Sequence, residues 1–248
     1  MHTTTAGKAF WRKRSSIAKL AGCVAIAASV LAGQRIANSA EAATKIPPPV
    51  QDETPGAMHS ETAVLAGGCF WGVQGVFEHV RGVKQVASGY SGGAADTAQY
   101  ETVSEGDTGH AESVQVVFDP KQITYGRILQ IFFSVVLDPT EVNRQGPDEG
   151  TQYRSEVFAA DPAQRHVASA YIAQLDHAHL FPRPLATRVD PLTGFYPAEA
   201  YHQDFLERHP DQPYIAYNDI PKVEALKRLF PKTYVDKPTL ALSSSQGE

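Results

Sequence analysis

The chain is 248 residues long and 42% hydrophobic, enough for one domain with a full core. Its formal net charge is −5, and −10 without its first 42 residues, an acidic balance that argues against nucleic acid and anionic membranes as partners because both repel it.

The first feature in chain order is a leader. Lys8, Arg12, Lys13, Arg14 and Lys19 form a basic region, Leu20 to Gly33 an apolar run, and Ala40-Glu41-Ala42 a small-x-small cleavage pattern. We expect residues 1–42 to be a signal peptide cut after Ala42, with export to the periplasm by the general secretory route. Three other readings compete. A membrane anchor would need a longer run of less small residues. A lipid tether at Cys23 would need the apolar stretch before Cys23 instead of after it, and Lys13-Arg14 matches a twin-arginine signal poorly. Removing the leader takes six of 22 Lys plus Arg and one of 27 Asp plus Glu, so the remaining 206 residues carry a formal −10. Cys23 leaves too, and Cys69 stands alone with no internal disulfide open to it. An unpaired cysteine in an oxidising compartment is either a small buried hydrophobe or a reactive thiol.

Residues 43–60, rich in proline, are expected to be a flexible linker, 61–236 a single catalytic domain, and 237–248 a disordered tail. Within the domain, 62–66 reads as a strand. Phe70 to Val80 reads as a helix with Val73, Val76, Phe77 and Val80 at helical spacing, and 83–90 as a second strand. A glycine-rich loop over 89–97 follows, then a strand over 113–118 that breaks at Asp119-Pro120. Helix 125–136, strand 156–160 and helix 162–177 come next, the last opened by Asp161 and Pro162; 184–189 adds a further strand. The order strand, helix, strand, strand, helix, strand predicts an α+β fold, a ferredoxin-like split βαβ two-layer sandwich with additional helices and long loops. Loops 138–152 and 190–198 are long enough to suggest function.

Cys69 lies in Gly67-Gly68-Cys69-Phe70-Trp71-Gly72, between a predicted strand and a predicted helix. The glycines permit a tight turn, and the helix start offers free N–H groups and the positive end of a dipole, so a lowered thiol pKa is expected. A structural cysteine buried at a helix start is the bland alternative. Glu112 is the candidate proton donor. Alternation places it on one face with Val114, Val116 and Phe118, where desolvation would raise a carboxyl pKa; a solvated glutamate at a frayed strand start is the alternative. His110 invites a Cys/His hydrolase or metal reading. We read the alternation as pointing it away from Glu112, and no second ligand stands at a usual spacing, so no metal is expected.

Four segments resemble, in order and spacing, the signature of A-type peptide methionine sulfoxide reductases. They are residues 67–72, the stretch from Tyr100 through Gly109-His110-Ala111-Glu112, residues 143–155 from Asn143 to Ser155, and Ala198-Glu199-Ala200-Tyr201-His202-Gln203. The resemblance implies that Cys69 attacks the sulfoxide sulfur of the S epimer and becomes a sulfenic acid. It implies that Glu112 protonates the sulfoxide oxygen, that Tyr100 and Tyr153 hydrogen-bond it, and that Asp148 helps position substrate. Phe70 and Trp71 would take the S-methyl group. Taken singly, these aromatics read as core packing, and Glu199, Tyr201, His202 and Gln203 as a polar helix start.

Two departures from the family pattern stand out. Leu137 replaces a histidine common in relatives, and no second cysteine follows Cys69. The resemblance therefore implies a one-cysteine form, without bound cofactor, reduced by an external thiol that is thioredoxin-like or glutathione/glutaredoxin-like. Partners would be oxidised proteins or peptides carrying methionine S-sulfoxide, with no nucleic acid and no stable membrane insertion. A thiol peroxidase or hydrolase using Cys69 and His110, and a binding module without turnover, are the rival functions.

Overall fold

The computed structural model describes residues 43–53 and 59–241; the leader expected over 1–42 lies outside them. Strand β1 (Glu61–Gly67) is followed by helix α1 (Phe70–Glu78) and strand β2 (Val83–Ser91). A short helix α2 (Tyr100–Ser104) leads into β3 (Ala111–Phe118), then α3 (Tyr125–Ile131), which runs on as a π-helical turn over Phe132–Val136. Strands β4 (Arg144–Gln145) and β5 (Asp148–Glu149) form a small hairpin. Strand β6 (Ser155–Ala159), helix α4 (Pro162–His177), strand β7 (Arg188–Pro191) and strand β8 (Phe195–Pro197) follow. Helix α5 (Phe205–Arg208), a π-helical turn (Ile215–Asp219) and helix α6 (Ile220–Leu229) complete the elements used below.

The fold is a mixed α/β one. Its main sheet has the order β7-β6-β1-β3-β2-β8, antiparallel throughout except for the parallel β6–β7 pair. Alternation along the strands assigns the faces. Ala63, Leu65, Val114, Val116, Phe118 and Val157 join the large core beneath the helices, while Val64, Ala66, Ala111 and Phe158 form a second cluster with Leu192 and Phe195. Every residue of α1 but Trp71 is buried, as befits a helix enclosed on all sides. It lies between the sheet and the chain that forms α5, α6 and the turn before α6.

Helix α4 begins as the sequence predicts: Asp161 Oδ1 accepts from the amides of Ala163 and Gln164 at 2.8 and 2.9 Å, and Pro162 occupies the first turn. Elsewhere the chain departs from expectation. The strand expected at 184–189 forms at Arg188–Pro191, and the loop expected over 190–198 contains β8, an edge strand of three residues, too short for period-two patterning to register. Over 43–53 the expected flexible linker is docked. Ile46 is buried and its amide donates to Ser134 Oγ at 3.2 Å. The Pro47 and Pro48 carbonyls accept from Tyr171 and Gln174 at 2.5 and 3.0 Å, and Asp52 Oδ1 accepts from the Gly126 amide in the first turn of α3 at 2.8 Å. Proline keeps its carbonyl acceptor while losing its donor, so a proline-rich strap can dock wherever donors point outward. At the other end, Thr239 N donates to Glu78 O at 2.9 Å and Ala241 N to Asp204 Oδ1 at 2.8 Å, so 237–241 of the expected disordered tail lie against the domain.

Candidate active site

Cys69 is the residue that caps α1, with φ −54° and ψ 122°, and it is 8% exposed. Gly68 before it has φ +87°, a left-handed conformation costly for any side chain, and a Cβ there would lie 2.5 Å from Gln145 Cβ. The expected lowering of the thiol pKa is not what the surroundings produce. Burial pushes the Cys69 thiol well up, followed by the negative charges of Glu112 and Asp219; of the helix start, only the Trp71 amide favours the thiolate. Cys69 therefore rests as a thiol.

Glu112 enters the site from β3, opposite Tyr90 in the register with β2, and is 4% exposed. Its Oε2 accepts from the Phe70 amide at 3.0 Å. Burial raises its pKa from 4.5 to about 8; the Phe70 amide opposes this, and Asp148 and Asp219 reinforce it. Tyr100 stands at the start of α2 and Tyr153 at the end of a 3₁₀ turn over Thr151–Tyr153. Burial, then the Glu112 charge, pushes both phenols up, and both feel Cys69. Each hydroxyl is thus a hydrogen-bond donor at neutral pH. Asp148, on the β4–β5 hairpin, accepts from the Tyr214 hydroxyl and is pushed up by burial, against the pull of Tyr214 and Lys222. The structure thus brings Cys69, Glu112, Tyr100, Tyr153 and Asp148 to one place.

Phe70 is buried, with its ring 5.8 Å from Tyr90 and 5.0 Å from His202. Trp71 stacks on Phe205 at 3.9 Å and 10° and meets Tyr214 edge-on at 6.0 Å. Its indole N–H donates to His202 Nδ1 at 3.1 Å. That bond fixes His202 as the neutral Nε2–H tautomer, since indole can only donate, and burial likewise lowers the His202 pKa. The residues read as a polar helix start are supports. Glu199 accepts from the Tyr100 amide at 3.0 Å and the Tyr90 hydroxyl at 2.9 Å, and Gln203 Nε2 donates to Ser88 O and Ala198 O. Tyr201 is half exposed.

His110 does not face away from Glu112 by alternation, because residues 110 and 112 share parity. Strand β3 begins only at Ala111, and both ring nitrogens of His110 are held by the preceding loop, Nδ1 by Gly93 N at 3.3 Å and Nε2 by Ala94 O at 2.8 Å. Neither is free to act as a base. Among the described residues no group of three or more His, Cys, Asp or Glu could hold a metal ion.

The sequence model of the family described as peptide methionine sulfoxide reductase matches residues 61–234. The chain belongs to that family. It is an oxidoreductase, a methionine sulfoxide reductase of the A type. It is 59% identical over 186 residues to peptide methionine sulfoxide reductase MsrA 2 of Mesorhizobium japonicum, covering 75% of this chain and 95% of that protein. It is 47% identical to MsrA of Thermus thermophilus over 70% of this chain and 97% of that one. Among solved structures, reduced Mxr1 from Saccharomyces cerevisiae is similar at TM-score 0.56 and 32% identity, over 64% of this chain and 91% of that one. Methionine sulfoxide reductase A of Corynebacterium diphtheriae has TM-score 0.53 at 32% identity, over 68% of this chain and 89% of that one.

Three residues of the candidate site escape a reading of the sequence. Tyr214 holds Asp148. Asp219 is wholly buried and packs on Gly72, where a Cβ would lie 2.1 Å from its Oδ1; Lys222 Nζ bonds that oxygen at 3.1 Å. Gly72 is the one signal in the motif that something must approach α1 closely, yet it does not say what. All three lie more than 140 residues downstream of Cys69, on the π-helical turn before α6 and its flanks.

Proposed function

We propose that this reductase converts methionine S-sulfoxide, in proteins and peptides and to a lesser extent free, to methionine through a sulfenic acid at Cys69. The observation that carries the reading is a buried carboxyl, Glu112, bonded to the amide next to the lone cysteine of the domain, with burial raising its pKa to about 8. Cys69 Sγ attacks the substrate sulfur while Glu112 gives its proton to the sulfoxide oxygen, which the Tyr100 and Tyr153 hydroxyls hold. The sulfur–oxygen bond of the substrate breaks and a new one forms to Cys69. Methionine leaves, and the Cys69 thiol proton restores Glu112. Phe70 and Trp71 receive the S-methyl group, and Asp148, held by Tyr214, orients the substrate.

An external thiol then attacks the sulfenic sulfur, releasing water and leaving a mixed disulfide; a second thiol frees Cys69. The donor is thioredoxin-like or glutathione/glutaredoxin-like, and no bound cofactor takes part. The protein works after export, in the periplasm, on oxidised exported proteins, a reading supported by the basic, apolar and small-x-small pattern of residues 1–42. The strand order β6-β1-β3-β2, with crossovers through α1 and α3, supports reading the centre of the sheet as a ferredoxin-like split βαβ.

Single-turnover mass spectrometry on the purified chain from residue 43 tests the chemistry. With excess methionine S-sulfoxide and no reductant, one methionine per enzyme and a trappable sulfenic acid on Cys69 are expected, both lost in Cys69→Ser. No methionine from a folded sample would overturn the reading.

A further inference from the structure

Arg154 is a guanidinium with almost no access to solvent, its side chain 9% exposed. Its Nε meets Glu156 Oε2 at 2.5 Å, one terminal nitrogen donates to the carbonyls of His110 and Thr151 at 3.0 Å each, and the other donates to Gly109 O at 2.9 Å. Those carbonyls belong to the two segments that carry the oxygen-handling groups. His110 is two residues ahead of Glu112, and Thr151 opens the turn that ends in Tyr153. The third group is tied in by neighbours, since Gln152 Nε2 donates to Ser104 O at the end of α2, the helix that begins with Tyr100. Space for the guanidinium is reserved in the sequence: Gly92 has φ +100°, and a Cβ there would stand 2.8 Å from an Arg154 terminal nitrogen.

We propose that Arg154 is a positioning residue that sets Tyr153 and Glu112 in register with each other, so that phenol and carboxyl converge on one substrate oxygen. This rests on the roles given above to Glu112 and Tyr153. A planar fork can satisfy three carbonyls and a carboxylate at once, whereas an ammonium is a point charge on a flexible stem. The groups being aligned act on charge that develops in the transition state, so misalignment lowers kcat more than it raises KM.

A cavity of about 640 Å³ opens beside the guanidinium, lined by Gly92, Gly109, Thr151, Glu156 and Arg188 among others. A small cation can therefore enter from solvent when the side chain is removed. The test is steady-state kinetics of Arg154→Ala and Arg154→Lys, with and without guanidinium at concentrations well below those that unfold the protein, and with thermal midpoints recorded in parallel. We expect kcat to fall about 10²-fold in the alanine variant, the loss that a displacement near 1 Å produces, with KM little changed. Guanidinium should restore part of it and methylammonium none, and lysine should stay close to alanine. If lysine matches the parent, or guanidinium restores nothing while the thermal midpoint falls with the rate, the positioning role is overturned; if the alanine variant does not fold, the lysine comparison decides. Glu112→Gln in the same assay separates the two levels. An inactive Glu112→Gln beside an unimpaired Arg154→Ala removes the positioning role alone, whereas parent activity in both removes the reading of the site.

Discussion

A proton donor has to hold its proton until it is needed, and in the role proposed for it Glu112 does so because water is excluded from it. With the pKa of Glu112 raised to about 8, foremost by burial, the carboxyl is charged only above that pH. Donation is thus available through the neutral range and is lost as pH rises through about 8. We expect kcat/KM to fall on that alkaline limb, and Glu112→Gln to lose about 10²–10⁴-fold, the usual worth of a general acid. Asp148→Asn removes one of the charges that raise Glu112, so its limb should move to lower pH. A pH–rate profile of the three proteins checks this; a limb unmoved in Asp148→Asn would mean the two carboxyls do not feel each other. The raised carboxyl was legible in the sequence, because alternation along 112–118 places residue 112 on the core face. The state of Cys69 was not. A helix start argues for a thiolate, but the burial and the carboxylates that reverse it come from strands and turns distant in sequence.

At the level of elements, the strap over 43–53 is the clearest case of a segment whose composition misleads. Counting prolines and charges finds nothing to fold, whereas its carbonyls, Ile46 and the Asp52 carboxylate are used by α4, the turn between α3 and β4, and α3, respectively. Ile46→Ala should cost roughly 2–5 kcal/mol, the range for truncating a buried aliphatic side chain, read by denaturant unfolding at constant m-value. A change within about 0.5 kcal/mol, typical of surface positions, would mean the strap is free in solution. Longer elements with strong periodicity, such as α4 with its Asp161 cap, were predictable end to end. β8, three residues long, and the π-helical turn at 215–219 were not, because each exists through its partners: Gly89–Ser91 for the first, and α1 for the second.

For the whole molecule, Glu78 and Glu112 are two of the buried carboxyls that make stability depend on pH. Glu78, on the far end of α1 from Cys69, is raised to about 10 by burial, then by the nearby carboxylates of Asp204 and Glu207; Glu112 is raised to about 8. In the unfolded chain both would titrate near 4.5. Between 4.5 and these values the unfolded chain binds fewer protons than the folded one, so the stability of the fold falls as pH rises. The contribution is complete below 4.5 and gone once pH has passed through 8 for Glu112 and 10 for Glu78. The thermal midpoint should therefore fall between pH 5 and 9, and Glu78→Gln, which cannot ionise, should flatten the slope. A midpoint in the glutamine variant that falls as steeply as in the parent would assign the loss to other groups.

The stack that holds Trp71 also has an optical consequence. The sequence contains two tryptophans, Trp11 and Trp71, and only the second lies in the domain. In a chain that begins at residue 43, all indole emission comes from a ring stacked on Phe205, bonded to His202 and covalently two residues from Cys69. The protein carries its own fluorophore beside the sulfur proposed to react, and each change of that sulfur's charge or oxidation state is placed where the emission can register it without a label.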